Sequence, residues 1–178
     1  MATFSRHEIV DALTRLGELA VEQAQNIELL VIGGALMVLE YGARQSTRDV
    51  DVVILSPREA HIVRSLAEKV GAERGWPGDW LNDGAKGYLV GVSEGPVVFA
   101  AAGIEVRRPA IEQLLAMKLS AWRDDVDISD ARRLLQELSS SGGRDAVWES
   151  VEPYLVPGRE LKAQYAFWDL WESLYGED

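Results

Sequence analysis

Between Leu29 and Leu55 two apolar runs alternate with two kinds of punctuation, and that order leaves few folds open. Leu29-Leu30-Val31-Ile32 is uninterrupted by polar residues. Gly33-Gly34-Ala35 breaks it, and an apolar segment follows to Tyr41-Gly42. Arg44 and Ser46-Thr47-Arg48 then precede Asp49-Val50-Asp51, which opens a second run, Val52-Val53-Ile54-Leu55. Short apolar runs bounded by turn residues read as strands. The pattern is strand, glycine turn, short helix, loop and second strand. Residues two apart on a strand face the same side. Asp49 and Asp51 then stand side by side, their Cα atoms roughly 6–7 Å apart, with Val50 facing away. Asp is disfavoured in strands, so a strand starting one residue later would leave both acids in a polar loop. Two hard carboxylates so placed suit Mg²⁺, which takes few protein oxygens and completes its shell with water and substrate phosphates. A glycine turn opening a helix offers bare N–H groups to those phosphates. Alone, Gly33-Gly34 reads as an ordinary turn; neither G-x-G-x-x-G nor Gly-Lys-Ser/Thr accompanies it.

The rest of the chain extends this alternation. Ser5-Arg6-His7-Glu8 is a capping-box pattern, and Ile9, Leu13, Leu16 and Ala20 recur at helical spacing, predicting a helix from about Arg6 to Gln25. Ser56-Pro57-Arg58-Glu59 offers an N-cap, a Pro at N1 and a Glu at N3, predicting a helix from Pro57 to about Val70. Gly71 to Gly87 reads as irregular. Tyr88–Val92, Val97–Ala101 and Ile104–Arg107 read as short strands. Helices follow from Pro109 to Trp122, Asp127 to Ser139, Arg144 to Tyr154 and Glu160 to Tyr175. The expected class is α/β (α+β), a mixed sheet flanked by helices with a helical C-terminal part. Residues 1–108 form the expected core, and residues 109–178 a helical region packed on it.

Gly33-Gly34 followed by Asp49-Val50-Asp51 resembles the nucleotidyltransferase superfamily of DNA polymerase beta. The local wording, Gly-Gly-Ala…Gly-x-Arg-x-x-Thr-x-Asp-Val-Asp, looks most like small bacterial AbiEii-like proteins of toxin–antitoxin systems. Leu114-Leu115-Ala116-Met117-Lys118-Leu119-Ser120-Ala121, with Arg123, Asp127 and Asp130, resembles the helix pair that follows the catalytic core in that group. The matching segments run roughly from Ile27 to Leu55 and from Arg107 to Leu135. The resemblance implies transfer of a nucleoside monophosphate from an NTP to an acceptor, with Mg²⁺ (or Mn²⁺) as cofactor and Asp49 and Asp51 as its ligands. It implies nucleotide contacts from Gly33, Gly34, Arg44, Thr47, Arg48 and Lys118. It also implies an acceptor that is RNA (tRNA) or protein, and a cognate antitoxin as partner.

A third carboxylate on a neighbouring strand usually completes the metal site of that superfamily. Glu105 is the best candidate, as metal ligand or base, with Asp79, Asp83 and Glu94 behind it. Its plain alternative is an exposed strand residue paired with Arg107. Lys118 either snorkels from its helix or reaches phosphate. Asp127 and Asp130 are spaced as N-cap and N3. His7 and His61 read as surface or packing residues, and Trp168 and Trp171 as residues packing the last helix.

Composition narrows partners and setting. The 178 residues include no cysteine, which removes disulfides, thiol catalysis and cysteine metal sites. The N-terminus lacks a signal-peptide pattern, no apolar run approaches the roughly 20 residues that span a bilayer, and a cytoplasmic protein is the default expectation. A net charge of −11 opposes bulk attraction to nucleic acid. Arg44, Arg48, Arg107, Arg108, Lys118 and Arg123 nevertheless fall in or beside the matching segments. Two other functions fit the same residues: an antibiotic-modifying nucleotidyltransferase with a small cationic acceptor, and a non-catalytic module that binds nucleotide or a partner protein.

Overall fold

The computed structural model describes residues 3–82, 84–93, 95–123, 125–140 and 142–176, with Ala85 by its backbone alone. Two compact units emerge, one of residues 1–86 and 94–109, the other of residues 87–93 and 110–178. The first unit holds β1 (Phe4–Ser5), α1 (Arg6–Glu22), β2 (Ile27–Ile32), α2 (Gly33–Leu39), β3 (Ser46–Thr47), β4 (Val50–Ser56), α3 (Ala60–Arg74), β5 (Leu81–Asn82), β6 (Val97–Ala101) and β7 (Ile104–Arg107). The second holds α4 (Ile111–Ala121), α5 (Asp125–Ser139), α6 (Arg144–Val151) and α7 (Glu160–Tyr175). The fold is thus mixed α/β with a helical C-terminal part.

Five strands of the first unit form one sheet in the order β5-β4-β2-β7-β6. β2 is central, antiparallel to β4 and parallel to β7, while β5 runs parallel to β4 and β6 antiparallel to β7. The register puts Ile27, Leu29, Val31, Val50, Val52, Leu81, Ile104 and Val106 on one face, and all eight are buried. The opposite face carries Glu28, Asp51, Asn82, Glu105 and Arg107, all half-buried. One face is therefore all core, and the other carries the polar chemistry around the buried Leu30 and Ile32 of β2.

α1 lies against the apolar face. The capping box forms as its sequence predicts: Ser5 N–H donates to Glu8 Oε2 at 2.8 Å, and Glu8 N–H donates to Ser5 Oγ at 3.4 Å. The Ser5 hydroxyl, donating to Glu8 Oε2 at 2.6 Å, and the Ser5 N–H together hold the Glu8 carboxyl below the usual range. Ser5 also pairs with Ser46, and Phe4 with Thr47, so the start of α1 is tied to the loop that leads to Asp49. Further along, a Cβ at Gly17 would lie 2.3 Å from Ala102 O and 2.6 Å from Ile104 Cγ2. Only glycine allows the helix to approach the β6–β7 hairpin this closely.

Several elements depart from the sequence reading. α3 begins at Ala60, not Pro57, because Ser56 stays in β4 opposite Glu28 and is not available as a cap. β5 lies in the stretch read as irregular. Phe4, Trp76 and Trp80 hold it there: Trp76 packs at a tilt on Phe4 at 4.3 Å and edge-on against Trp80 at 5.5 Å, and Trp80 Nε1 donates to Ala67 O. Trp80 O accepts from Val50 N–H at 2.7 Å, which starts the β4–β5 pairing. Tyr88–Val92 is not a strand. Its segment belongs to the second unit, where the buried Gln113 donates through Nε2 to Val90 O and Gly91 O, and accepts from Ser93 N–H through Oε1. Those carbonyls are thereby engaged outside any ladder.

α7 buries Ala163, Ala166, Phe167, Leu170 and Trp171, a stripe at i, i+3, i+4, i+7 and i+8. Trp171 packs as expected, whereas Trp168 is 37% exposed. Residues three apart drift around a helix of 3.6 residues per turn, so a Tyr165-Trp168-Trp171 series cannot all face the core. No helix among the described residues is long and apolar enough to cross a membrane.

Gly17→Ala is expected to destabilise the protein by about 1–3 kcal/mol through overpacking, seen as a lower urea midpoint with an unchanged slope.

Candidate functional site

The end of β2 and the start of β4 create the site. Ile32 is paired with Asp51 across the antiparallel ladder, so the residue that follows Ile32 must turn beside the Asp51 carboxylate. That residue is Gly33, in the left-handed region at φ +65. A Cβ there would lie 2.8 Å from Asp51 Oδ2. A Cβ at Gly34 would lie 2.6 Å from Thr47 Oγ1 and 3.0 Å from Arg44 Nη1. The glycine pair, Asp51, Thr47 and Arg44 are therefore drawn together from three elements and one loop. Their spacing leaves no room for a side chain at either glycine.

α2 is held by its far end. Arg6 Nε donates to Leu39 O at 3.1 Å, and Arg108 pairs with Glu40 at 3.0 Å. Thr47 is buried through the β1–β3 pairing, whereas Arg48 is exposed. β4 begins at Val50, so Asp49 stands one residue before the strand. Burial still alternates over Asp49, Val50, Asp51 and Val52, with both aspartates half-buried and both valines buried.

Glu105 stands apart from Asp51 within the first unit. Glu105 is opposite Glu28 on β2, whereas Asp51 is opposite Ile32. Four residues of β2 separate those levels, about 13 Å along the strand, and Asp51 and Glu105 lie on either side of β2. Glu105 Oε1 instead pairs with Arg107 Nη2 at 2.6 Å, and Arg107 Nε reaches Glu28 at 3.2 Å. The parallel register aligns the two glutamates, and one guanidinium compensates both. Asp83 and Glu94 lie outside the described residues, and Asp79 is exposed, with its carbonyl accepting from Asn82.

Lys118 belongs to the second unit. Its Nζ is 3.0 Å from Asp127 Oδ1 and 2.7 Å from Asp130 Oδ2, with both carboxylates almost wholly buried. Arg123 Nε adds a contact to Asp127 Oδ2 at 3.1 Å. Asp127 and Asp130 are thus core ion-pair partners and not caps, because α5 starts two residues earlier than its sequence predicts. Burial pushes the Asp127 carboxyl up. The Arg123 hydrogen bonds and the Lys118 ammonium outweigh it and hold the group below its usual range.

Asn82 and Gly84 went unnoticed in the sequence. The register pairs Asn82 with Asp51, and a Cβ at Gly84 would lie 2.8 Å from Asn82 Oδ1 and 3.6 Å from Asp51 Oδ1. The brief apolar pair Trp80-Leu81 before Asn82 was the available signal, too short to mark a strand.

The comparisons with known proteins bear on this same stretch. Residues 12–98 match the model of a family described as a nucleotidyl transferase of unknown function (DUF2204). This stretch is nucleotidyltransferase-like. The nucleotidyltransferase-like segment spans Gly33, Gly34, Arg44, Thr47, Asp49, Asp51, Asn82 and Gly84, and stops before Glu105 and Lys118. No curated protein and no solved structure matches the chain.

The donor set fits a hard divalent cation: carboxylate oxygens, with Gly33 leaving space beside Asp51 Oδ2. No group of three or more His, Asp or Glu suited to a metal occurs among the described residues.

Two outcomes test the ion cluster. Lys118→Met leaves Asp127 and Asp130 without their ammonium partner and is expected to cost about 3–5 kcal/mol in denaturant unfolding. The Asp127 carboxyl is more acidic folded than unfolded. Its stabilisation is therefore full above about pH 4 and is lost as the pH falls through the lower, folded value. Unfolding free energies measured from pH 5 to pH 3 should fall more steeply for the wild type than for Asp127→Asn.

Proposed function

We propose that this protein is a divalent-cation-dependent nucleotidyltransferase. An acceptor oxygen attacks the α-phosphorus of an NTP, a new P–O bond forms, the α–β anhydride bond breaks and pyrophosphate leaves. The proton of the acceptor passes to solvent. The observation that carries this reading is the convergence of Gly33, Gly34, Arg44, Thr47 and Asp51, inside the segment that matches a nucleotidyl transferase family.

Each residue has a role in keeping with its chemistry. Asp49 and Asp51 would hold Mg²⁺ or Mn²⁺. When bound, that cation supplies positive charge to the triphosphate and to the in-line transition state. Gly33 and Gly34, lacking side chains, let phosphate oxygens approach backbone N–H groups. Arg44 and Arg48 balance phosphate charge, and Thr47 Oγ1 offers a hydroxyl beside Gly34.

The acceptor we favour is tRNA or a protein hydroxyl, with the chain acting as the toxin-like component beside a cognate antitoxin. The resemblance of the Gly33–Asp51 wording to AbiEii-like proteins supports this assignment. The net charge of −11 favours a small cationic acceptor over RNA, which keeps a drug-modifying enzyme as the competing acceptor class.

A partner-binding role has its own support. Leu161, Tyr165, Trp168 and Tyr175 are exposed on α7, and Tyr165 meets Trp168 edge-on at 6.0 Å. Exposed aromatic pairs of this kind suit a protein interface.

The purified protein incubated with Mg²⁺, each α-labelled NTP and a cell lysate should transfer label to RNA, protein or a small molecule. Asp51→Ala is expected to abolish that transfer, and full activity in this variant would defeat the assignment. Gly34→Val is expected to lower transfer at least tenfold, equivalent to about 1.4 kcal/mol or more, by pressing on Thr47 and Arg44.

A further inference from the structure

β5 is two residues long, yet its second residue stands directly beside Asp51. Paired residues of a parallel ladder point to the same face, so the side chains of Asn82 and Asp51 share a face. The Asn82 amide is held at both ends. Its Oδ1 accepts from Gly84 N–H at 2.7 Å, and its Nδ2 donates to Asp79 O at 3.3 Å. Those two partners settle which end of the amide is oxygen. The amide oxygen keeps a second lone pair after accepting from Gly84.

Both oxygens border one bare position. A Cβ at Gly84 would lie 2.8 Å from Asn82 Oδ1 and 3.6 Å from Asp51 Oδ1. On the other side of the same carboxylate, a Cβ at Gly33 would lie 2.8 Å from Asp51 Oδ2. Asp51 is thus flanked by two glycines, with a neutral, oriented oxygen on one side. Amide oxygens are accepted ligands of hard cations and good partners for their bound waters.

The geometry points to Asn82 as a further binding residue, whose Oδ1 joins Asp51 in holding a divalent cation–nucleoside triphosphate complex. This rests on the nucleotidyltransferase reading. Asn82 contributes an oxygen without charge. Removing it takes away a partner of the complex, whereas a carboxylate in its place adds an anion beside Asp51 and attracts the cation even without nucleotide.

Mn²⁺ binding followed by electron paramagnetic resonance tests this, with and without non-hydrolysable NTP analogues. The full-length wild type is compared with Asn82→Ala, Asn82→Asp, Gly84→Ala and an Asp49→Ala/Asp51→Ala double variant. Asn82→Ala is expected to weaken Mn²⁺ binding in the presence of the analogues by about tenfold, with its thermal midpoint in metal-free buffer unmoved. Asn82→Asp is expected to strengthen Mn²⁺ binding without nucleotide by about tenfold, a gain that a merely structural role would not produce. Gly84→Ala, pressing on Asn82 Oδ1, should weaken binding as Asn82→Ala does, and with it carries the test should Asn82→Asp fail to fold.

Asn82 variants that bind like the wild type, while the double aspartate variant loses Mn²⁺, would overturn the role of Asn82 and leave the aspartate site standing. A wild type that binds no Mn²⁺ with any analogue, or a double variant that binds undiminished, would overturn the nucleotidyltransferase reading and this inference together.

Discussion

The antiparallel pairing of β2 with β4 is the interaction on which the site depends. It sets Asp51 opposite Ile32, the last residue of β2, so the chain must turn at Gly33 within reach of the carboxylate. A slip of one residue would turn Asp51 toward the apolar face and expose Val50 and Val52. The buried valines and the position of the acid are therefore two consequences of one register. Core packing enforces it: Val31, Val50 and Val52 are buried on the face that α1 and α3 help to cover.

Other contacts serve that pairing from its edges. The Phe4–Trp76–Trp80 cluster delivers Leu81 and Asn82 to the outer side of β4, and the Val50 N–H to Trp80 O hydrogen bond begins the ladder. The Ser5 capping box does the same from the other direction, since Ser5 caps α1 and pairs with Ser46. Thr47 and Arg44 owe their approach to Gly34 to this frame. In the second unit, buried polar groups specify the helix arrangement. Gln113 engages three residues of the 87–93 segment, and Lys118 joins α4 to Asp127 and Asp130 of α5.

Lys118 and Arg44 differ in their surroundings. Both are cations in segments that carry the family resemblance. Lys118 faces two buried carboxylates that it must neutralise, because removing it would leave buried charge uncompensated. Arg44 Nη1 lies 3.0 Å from where a Cβ at Gly34 would stand. Glu105 makes the same point for acids: placed opposite Glu28, its nearest duty is to share Arg107.

Local sequence determined much of this protein. The apolar runs on either side of Gly33-Gly34, the capping box at Ser5 and the alternation from Asp49 to Val52 each state their structure through period, turn chemistry or hydrogen-bonding pattern, which act over a few residues. What distance along the chain hides was decided by tertiary structure. Whether Glu105 meets Asp51 depends on strand order and register. Whether Asp127 caps a helix or pairs with Lys118 depends on where α5 begins against α4. Asn82 became visible only when aromatic packing drew a two-residue strand to the sheet edge, because so short a strand has no period of its own and exists through its neighbour.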